Sequence, residues 1–248
     1  MCTVVLRLQP DAPQSDGSAP LLLLGVRDEF TDRPWRPPAR HWAGSPLIGG
    51  IDEQAGGTWL AVHPVEPRLA CLLNGRGTPA APERRRSRGE LPLRAAADGA
   101  AALKELADDL GALAAYDPFH LVCADSASAL LLSWDGSAAE VRDMPPGTHL
   151  LTNAGYSYPP ADAHGPVTEP KAAYFGPKFA ASAGAPEWLS LADGDGLPPE
   201  DPRAIVARRM LPDGRTWGTT SQTLAALARG GTRYWFRPVP GEWYAVPV

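Results

Sequence analysis

Residues 21–26 read Leu-Leu-Leu-Leu-Gly-Val, and Arg27-Asp28-Glu29-Phe30 follow directly. Six apolar residues are too few to span a bilayer, where a helix needs about 20. They suit a strand. A strand that is apolar at odd and even positions alike has no face for water, so both of its faces must be covered. On its N-terminal side the chain begins Met1-Cys2-Thr3-Val4-Val5-Leu6-Arg7-Leu8. Here Cys2, Val4, Leu6 and Leu8 share one face, and Thr3, Val5, Arg7 and Gln9 the other. A period of two predicts a first strand. The polar stretch at residues 11–20 then closes a hairpin with a long connection. Pairing of that kind places Arg27 and Asp28, at the end of the second strand, beside Cys2 at the start of the first.

Further along, residues 27–42 carry too much proline and charge for regular structure. Strands are expected at residues 46–51, 58–64, 68–74, 119–125, 129–134 and 147–153. In the interval at about residues 94–116, Leu103, Leu106, Leu110 and Leu113 recur at helical spacing between charged residues, which predicts one amphipathic helix. Residues 156–170 read as loop, and residues 171–181 and 202–210 as short helices. The stretches 220–228, 232–238 and 242–248 read as closing strands. Helices bunch and strands come in hairpin series, so the sheet is expected to be mostly antiparallel, in an α+β fold. The 248 residues suit one large domain or two small ones, with a substantial core.

Composition excludes several functions. A net charge of −5 gives no reason to expect nucleic acid or an anionic membrane as partner. No secretory leader and no integral membrane segment is read, so a soluble, cytoplasmic protein is expected. The three cysteines, Cys2, Cys71 and Cys123, lack the spacing of a disulfide framework or a zinc knuckle and fit a reducing compartment. No metal cluster is expected. The basic run Arg84-Arg85-Arg86-Ser87-Arg88 reads by default as a solvated loop, with phosphate binding as the alternative.

The chemistry centres on Cys2. A small second residue permits removal of Met1, which would leave Cys2 with a free α-amine, a group with a pKa of about 7.7–8.0. A nucleophile activated by its own N-terminal amine is a known route to acyl transfer. A nearby cation favours the thiolate and a carboxylate can orient the amine, roles that suit Arg27 and Asp28. Donors for a developing oxyanion are also needed. Asn74 and Asn153, each closing a predicted strand, are suitable. The bland readings are a buried thiol, a solvated strand end and two turn asparagines.

Met1-Cys2-Thr3, GVRDEF (25–30), DRPW (32–35), IGGIDEQAGGTWLAV (48–62), LLNGRG (72–77), SRGELP (87–92), PPGTHLLTNA (145–154) and WGTTSQT (217–223) occur in this order. The series resembles the NRDE family, also called the transport and Golgi organisation protein 2 family, from residue 1 to about residue 239. The resemblance implies one domain over residues 1–248. It also implies a four-layer αββα sandwich of two mostly antiparallel sheets, like the N-terminal nucleophile hydrolases, and bacterial origin fits the composition. Cys2 then matches the nucleophile of cysteine acylases that cleave non-peptide amide bonds. Arg27 and Asp28 match the Arg-Asp of the family motif, and Asn74 and Asn153 the oxyanion and substrate-orienting positions. Hydrolysis of this kind requires no cofactor, and its partner is a small-molecule amide. Two positions depart from the pattern. Val26 stands where the motif begins with Asn, and Thr220 stands where a late arginine is usual, a charge that Arg215 or Arg233 would have to supply. The resemblance also implies a second, non-catalytic reading, in which the chain carries an apolar ligand such as haem or an acyl-CoA-like thioester. Loop tryptophans such as Trp35, Trp42 and Trp217 suit that role. The axial ligand would come from His41, His63, His120, His149, His164 or Cys2.

Overall fold

The computed structural model describes residues 3–11, 19–159 and 166–248. In chain order the first half contains β1 (Thr3–Leu8), β2 (Leu21–Phe30), β3 (Trp35–Ala39), β4 (Ile48–Asp52), β5 (Leu60–His63) and β6 (Arg68–Asn74), then helices α1 (Leu91–Asp98), α2 (Ala100–Asp108) and α3 (Leu110–Leu113). The second half continues with β7 (Phe119–Asp125), β8 (Ala129–Trp134), β9 (Ala139–Asp143), β10 (Gly147–Thr152) and β11 (Gly155–Tyr158). Helices α4 (Pro170–Ala181) and α5 (Ala185–Ala192) follow, and β12 (Arg208–Met210), β13 (Thr216–Ala228), β14 (Gly231–Pro238) and β15 (Tyr244–Val246) end the chain.

Among the described residues the strands form two sheets. The first has the order β11-β10-β1-β2-β13-β14-β15, with β12 added to β13, and the second runs β3 to β9 in chain order. The pairings are antiparallel. The residues of β2 explain the layering. Leu21 and Leu23 point into a core shared by the two sheets, with Val4, Leu6, Leu69, Cys71 and Val122. Leu22, Leu24 and Val26 point the other way and pack with Phe175, Phe179 and Trp188 of α4 and α5. The outer face of the second sheet is covered by Leu91, Ala95, Leu103 and Leu106 of α1 and α2. The result is the expected αββα sandwich, in which both faces of β2 are buried because helices cover one and a sheet the other.

Arg7 shows how a charge fits this outer face. It lies across the end of α4, donating from Nη1 to the Ser182 carbonyl at 2.6 Å with its guanidinium over the Trp188 ring. Carbonyls at a helix C-terminus carry negative partial charge, so a cation is favoured there.

The sequence expectations hold for β6 and β7, whose bounds agree residue for residue. Others are corrected. The single helix at residues 94–116 is three helices. Gly99 has φ +74°, a left-handed conformation that ends α1, and Asp109 caps the N-terminus of α3. Leu110 is consequently 52% exposed rather than part of the buried stripe. Residues 202–210 form no helix. The Asp201 carboxylate accepts from the Arg203 backbone N–H in a turn, and the chain then pairs with β13 as β12. Much of the supposedly irregular stretch 27–42 is strand, the end of β2 and all of β3, and most of β11 lies in the segment read as loop. Among the described residues no helix is long and apolar enough to cross a membrane.

Burial on both faces makes a specific demand on stability. Leu22→Ala and Leu23→Ala, which face different cores, should each destabilise the protein by about 2–5 kcal/mol in urea titrations. A strand covered on one side alone would show that loss for one substitution and little for the other.

Candidate active site

Thr3, the first described residue of β1, stands opposite Val26. The register therefore brings the beginning of β1 to the end of β2, next to Arg27. Cys2 itself lies outside the described residues, as does His164. Arg27 and Asp28 are neighbours on one strand, so their side chains leave on opposite faces, and the structure does not bring the two together at one point.

Arg27 crosses from the first sheet to the second. Its Nη2 donates to Oδ2 of Asp52, the last residue of β4, at 3.2 Å, and its guanidinium lies 4.6 Å from the Trp59 ring centroid. Nη1 donates to Thr220 Oγ1 at 2.8 Å, and the same hydroxyl donates back to the Arg27 carbonyl at 3.2 Å. Thr220 reaches this position because β13 bulges against β2, pairing Thr219 with Asp28 but Ser221 with Arg27. Arg27 is almost fully buried. Burial pulls its pKa below the ordinary arginine value, against the opposing charges of Glu29 and Asp52, and the group stays cationic at neutral pH.

Asp52 is the hub of this end of the molecule. Its Oδ2 also accepts from Arg33 Nε at 2.6 Å, and its Oδ1 accepts from Arg33 Nη2 and from the backbone N–H groups of Gln54 and Ala55. Burial pushes the Asp52 carboxyl up, but the bonds from Arg33 and the Ala55 N–H, with the charges of Arg33 and Arg27, hold it net below its ordinary value.

On the other face of β2, the buried Asp28 carboxylate accepts from Thr219 Oγ1 at 2.6 Å, and Lys171 Nζ of α4 stands 3.9 Å from its Oδ2. The ammonium also donates to Thr3 Oγ1 at 3.0 Å. Lys171 thus ties α4 to the start of β1 and the end of β2.

A cavity of about 390 Å³ opens beside Arg27. Asn74, exposed at the end of β6, lines it together with Asp52, Trp59 and Leu72. So do Arg85, Arg86 and Arg88; residues 84–87 are exposed, as a solvated loop is, while Arg88 is half-buried. Gly57 and Gly89 make this possible. A Cβ built on Gly57 would stand 2.4 Å from Gly89 backbone, and Thr58 N–H donates to the Gly89 carbonyl at 2.9 Å. Only glycines allow that approach.

Asp28 and Asn153 do not line this cavity. Asn153 is half-buried in the turn after β10, in contact with His120 through its backbone. Arg215 and Arg233 do not replace the late arginine. Arg215 pairs with Asp213 and covers the Phe30 ring. Arg233 pairs with Ala226, which faces Leu22 at the opposite end of β2. Trp35 packs against Trp59 and Phe236 in the interior and is no ligand platform. Asp52, Arg33, Trp59, Lys171 and Thr219 went unrecognised as site residues in the sequence. For Asp52 a signal was present, since Asp52-Glu53-Gln54-Ala55-Gly56-Gly57 is a turn whose carboxylate captures its own backbone.

Fold and site thus define an αββα protein with an arginine-rich cavity at one end of its strands. The family model described as Transport and Golgi organisation 2 matches residues 1–176, and the chain belongs to that family. It is 31% identical over 165 residues to the Transport and Golgi organization 2 homolog of Mus musculus, a match covering 62% of this chain and 57% of the mouse protein. Among solved structures it is similar to the N-acylethanolamine-hydrolyzing acid amidase ortholog of Caenorhabditis elegans, at 12% identity and a TM-score of 0.48, over 99% of this chain and 100% of that one. A likeness at that level assigns no residue and no reaction.

Asp52→Asn removes the charge that compensates Arg27 and Arg33, and should cost about 1–3 kcal/mol at neutral pH. The wild-type advantage is full above the ordinary carboxylate value of 3.8 and is lost as pH falls through the lowered folded value. Denaturation of both proteins as a function of pH should therefore converge once the pH falls below the lowered Asp52 value.

Proposed function

We propose that the chain is an N-terminal nucleophile amidohydrolase that cleaves small non-peptide amides, with Cys2 as nucleophile once Met1 is removed. One observation carries this reading. The start of β1 meets the end of β2 where Arg27 and Asn74 face the same cavity. Its volume lies within the range of small-molecule sites, about 300–1,000 Å³.

In the proposed reaction the α-amine of Cys2 takes the thiol proton and the thiolate attacks the amide carbonyl. Asn74 donates to the oxyanion of the tetrahedral intermediate, a role that Asn153, which does not line the cavity, does not share. The ammonium returns its proton to the leaving amine, and the C–N bond breaks to give a thioester. Water, deprotonated by the same amine, then releases the carboxylic acid and restores the thiol. Arg27 favours the thiolate by its charge. Asp28, held by Thr219 and near Lys171, braces the strand end from the opposite face of β2. Thr220 anchors Arg27 by hydrogen bonds, so in this chain Arg27 itself is the cation of the site.

The haem reading finds less support. No histidine lines the cavity among the described residues. His149 is engaged with Tyr156 and the Pro145 carbonyl. The thiols of Cys71 and Cys123 are each pushed up to about 12, by burial first, so neither offers a thiolate. The residues present do not fit a haem site, and Cys2 is outside them.

Two measurements test the proposal. The intact mass should show Met1 absent, and a brief iodoacetamide pulse at neutral pH should label Cys2 before Cys71 or Cys123. Cys2→Ala should lower hydrolysis of short acylamides by more than about a thousandfold. Retained Met1, or unchanged turnover in Cys2→Ala, would overturn it.

A further inference from the structure

We infer that the loop at residues 84–88 builds an oxyanion subsite into the cavity, anchored by Arg88, and that the ligand taken there carries a carboxylate or phosphate. Five arginines and three carboxylates line the cavity. The carboxylates are already engaged. Asp52 serves Arg27 and Arg33. Glu29 lies 4.0 Å from Arg33 and accepts from the Phe30 N–H. Asp117 pairs with Arg85 at 3.1 Å and accepts from the Ala80 N–H. Arg86 turns to Glu90.

Arg88 is left over. Its Nη1 donates to the Pro118 carbonyl at 2.7 Å, and among the described residues no carboxylate oxygen stands within 4.0 Å of its guanidinium. It is half-buried. Burial pulls its pKa down, and the more distant Asp117 offsets this only in part. A cation withdrawn from water without an adjacent opposing charge is costly. The planar fork it leaves open is the geometry that carboxylates and phosphates match with two parallel bonds.

The loop is also fixed in place. Arg86 N–H donates to the Ala115 carbonyl at 2.7 Å, and the Gly57–Gly89 contact pins its far side. Trp59 and Leu72 supply apolar wall in the same cavity. A small molecule with an acyl part and an oxyanion therefore fits it. That the molecule is an amide rests on the function proposed above.

The test separates the two ideas by measuring binding to the full chain carrying Cys2→Ala, in which the proposed nucleophile is absent. The probes are N-hexanoylglycine, N-hexanoyl-aminoethyl phosphate and the neutral N-ethylhexanamide, compared by calorimetry. At least one charged probe should bind about tenfold or more tightly than the neutral one, and whichever does so identifies the oxyanion. Arg88→Met, added to Cys2→Ala, should erase the preference. Arg88→Lys, which keeps the charge and can still reach the Pro118 carbonyl, should retain only part of it. The preference should also shrink between about 0.05 and 0.5 M NaCl with all arginines intact, an arm that needs no variant to fold. Equal binding of charged and neutral probes, no binding of any probe, or a preference indifferent to both salt and Arg88→Met would overturn the subsite. Hydrolysis can fail in the wild type while this preference stands, and the reverse.

Discussion

Arg27 leaves one sheet and is received by the other, and the organisation of the whole site follows from that crossing. A guanidinium buried between two sheets needs compensation that its own strand cannot supply. Asp52 supplies charge from β4, Trp59 supplies a ring face, and Thr220 supplies an oxygen from the bulge of β13. Each partner comes from a distant part of the chain. The ends of β2 and β4 and the bulge of β13 are thereby tied together across the two sheets, and the cavity opens beside Arg27.

The family match ends at residue 176, yet β13 lies directly against β2 and completes the same sheet. The residues beyond the match therefore contribute to the site. Thr219 holds Asp28 and Thr220 holds Arg27, two adjacent hydroxyls serving opposite faces of β2. The bulge makes this arrangement possible by shifting the register between them. A threonine in place of the usual arginine at position 220 is understandable here. It binds a cation that is already present.

Much of the fold was legible in the sequence because it is written in local pattern. The doubly apolar run at residues 21–26 demanded cover on both faces, and two cores meet it. The short apolar runs at residues 68–74 and 119–125 are β6 and β7. Other features failed where tertiary contact outweighs local pattern. A leucine stripe spans residues 103–113, but Gly99 and Asp109 break the helix, because α1 ends where Arg68 donates to the Ala96 carbonyl. Trp35 looked like a loop aromatic, since its interior neighbours Trp59 and Phe236 are remote in sequence. Of the site, Arg27 and Asn74 were found and do share the cavity, because strand ends can be read. Arg85 and Arg86 are exposed at the cavity rim, as a basic surface run suggests, and only Arg88 is half-buried, beside the Gly57–Gly89 contact. No sequence pattern announces a contact between two glycines so far apart.

The two sheets differ in when they can form. The second is a continuous meander from β3 to β9, each strand pairing with its successor. Its contacts are local, and local topologies close quickly. The first sheet joins β2 to β13, so about 190 residues separate Arg27 from its partner Thr220. During synthesis, one edge of a strand that begins with six apolar residues waits without its neighbour until the last quarter of the chain emerges. Exposed strand edges recruit other chains. The meander, complete by then, offers Leu21 and Leu23 a surface to rest on before β13 arrives. A chain cut short before β13 would leave that apolar edge open to pairing with other chains.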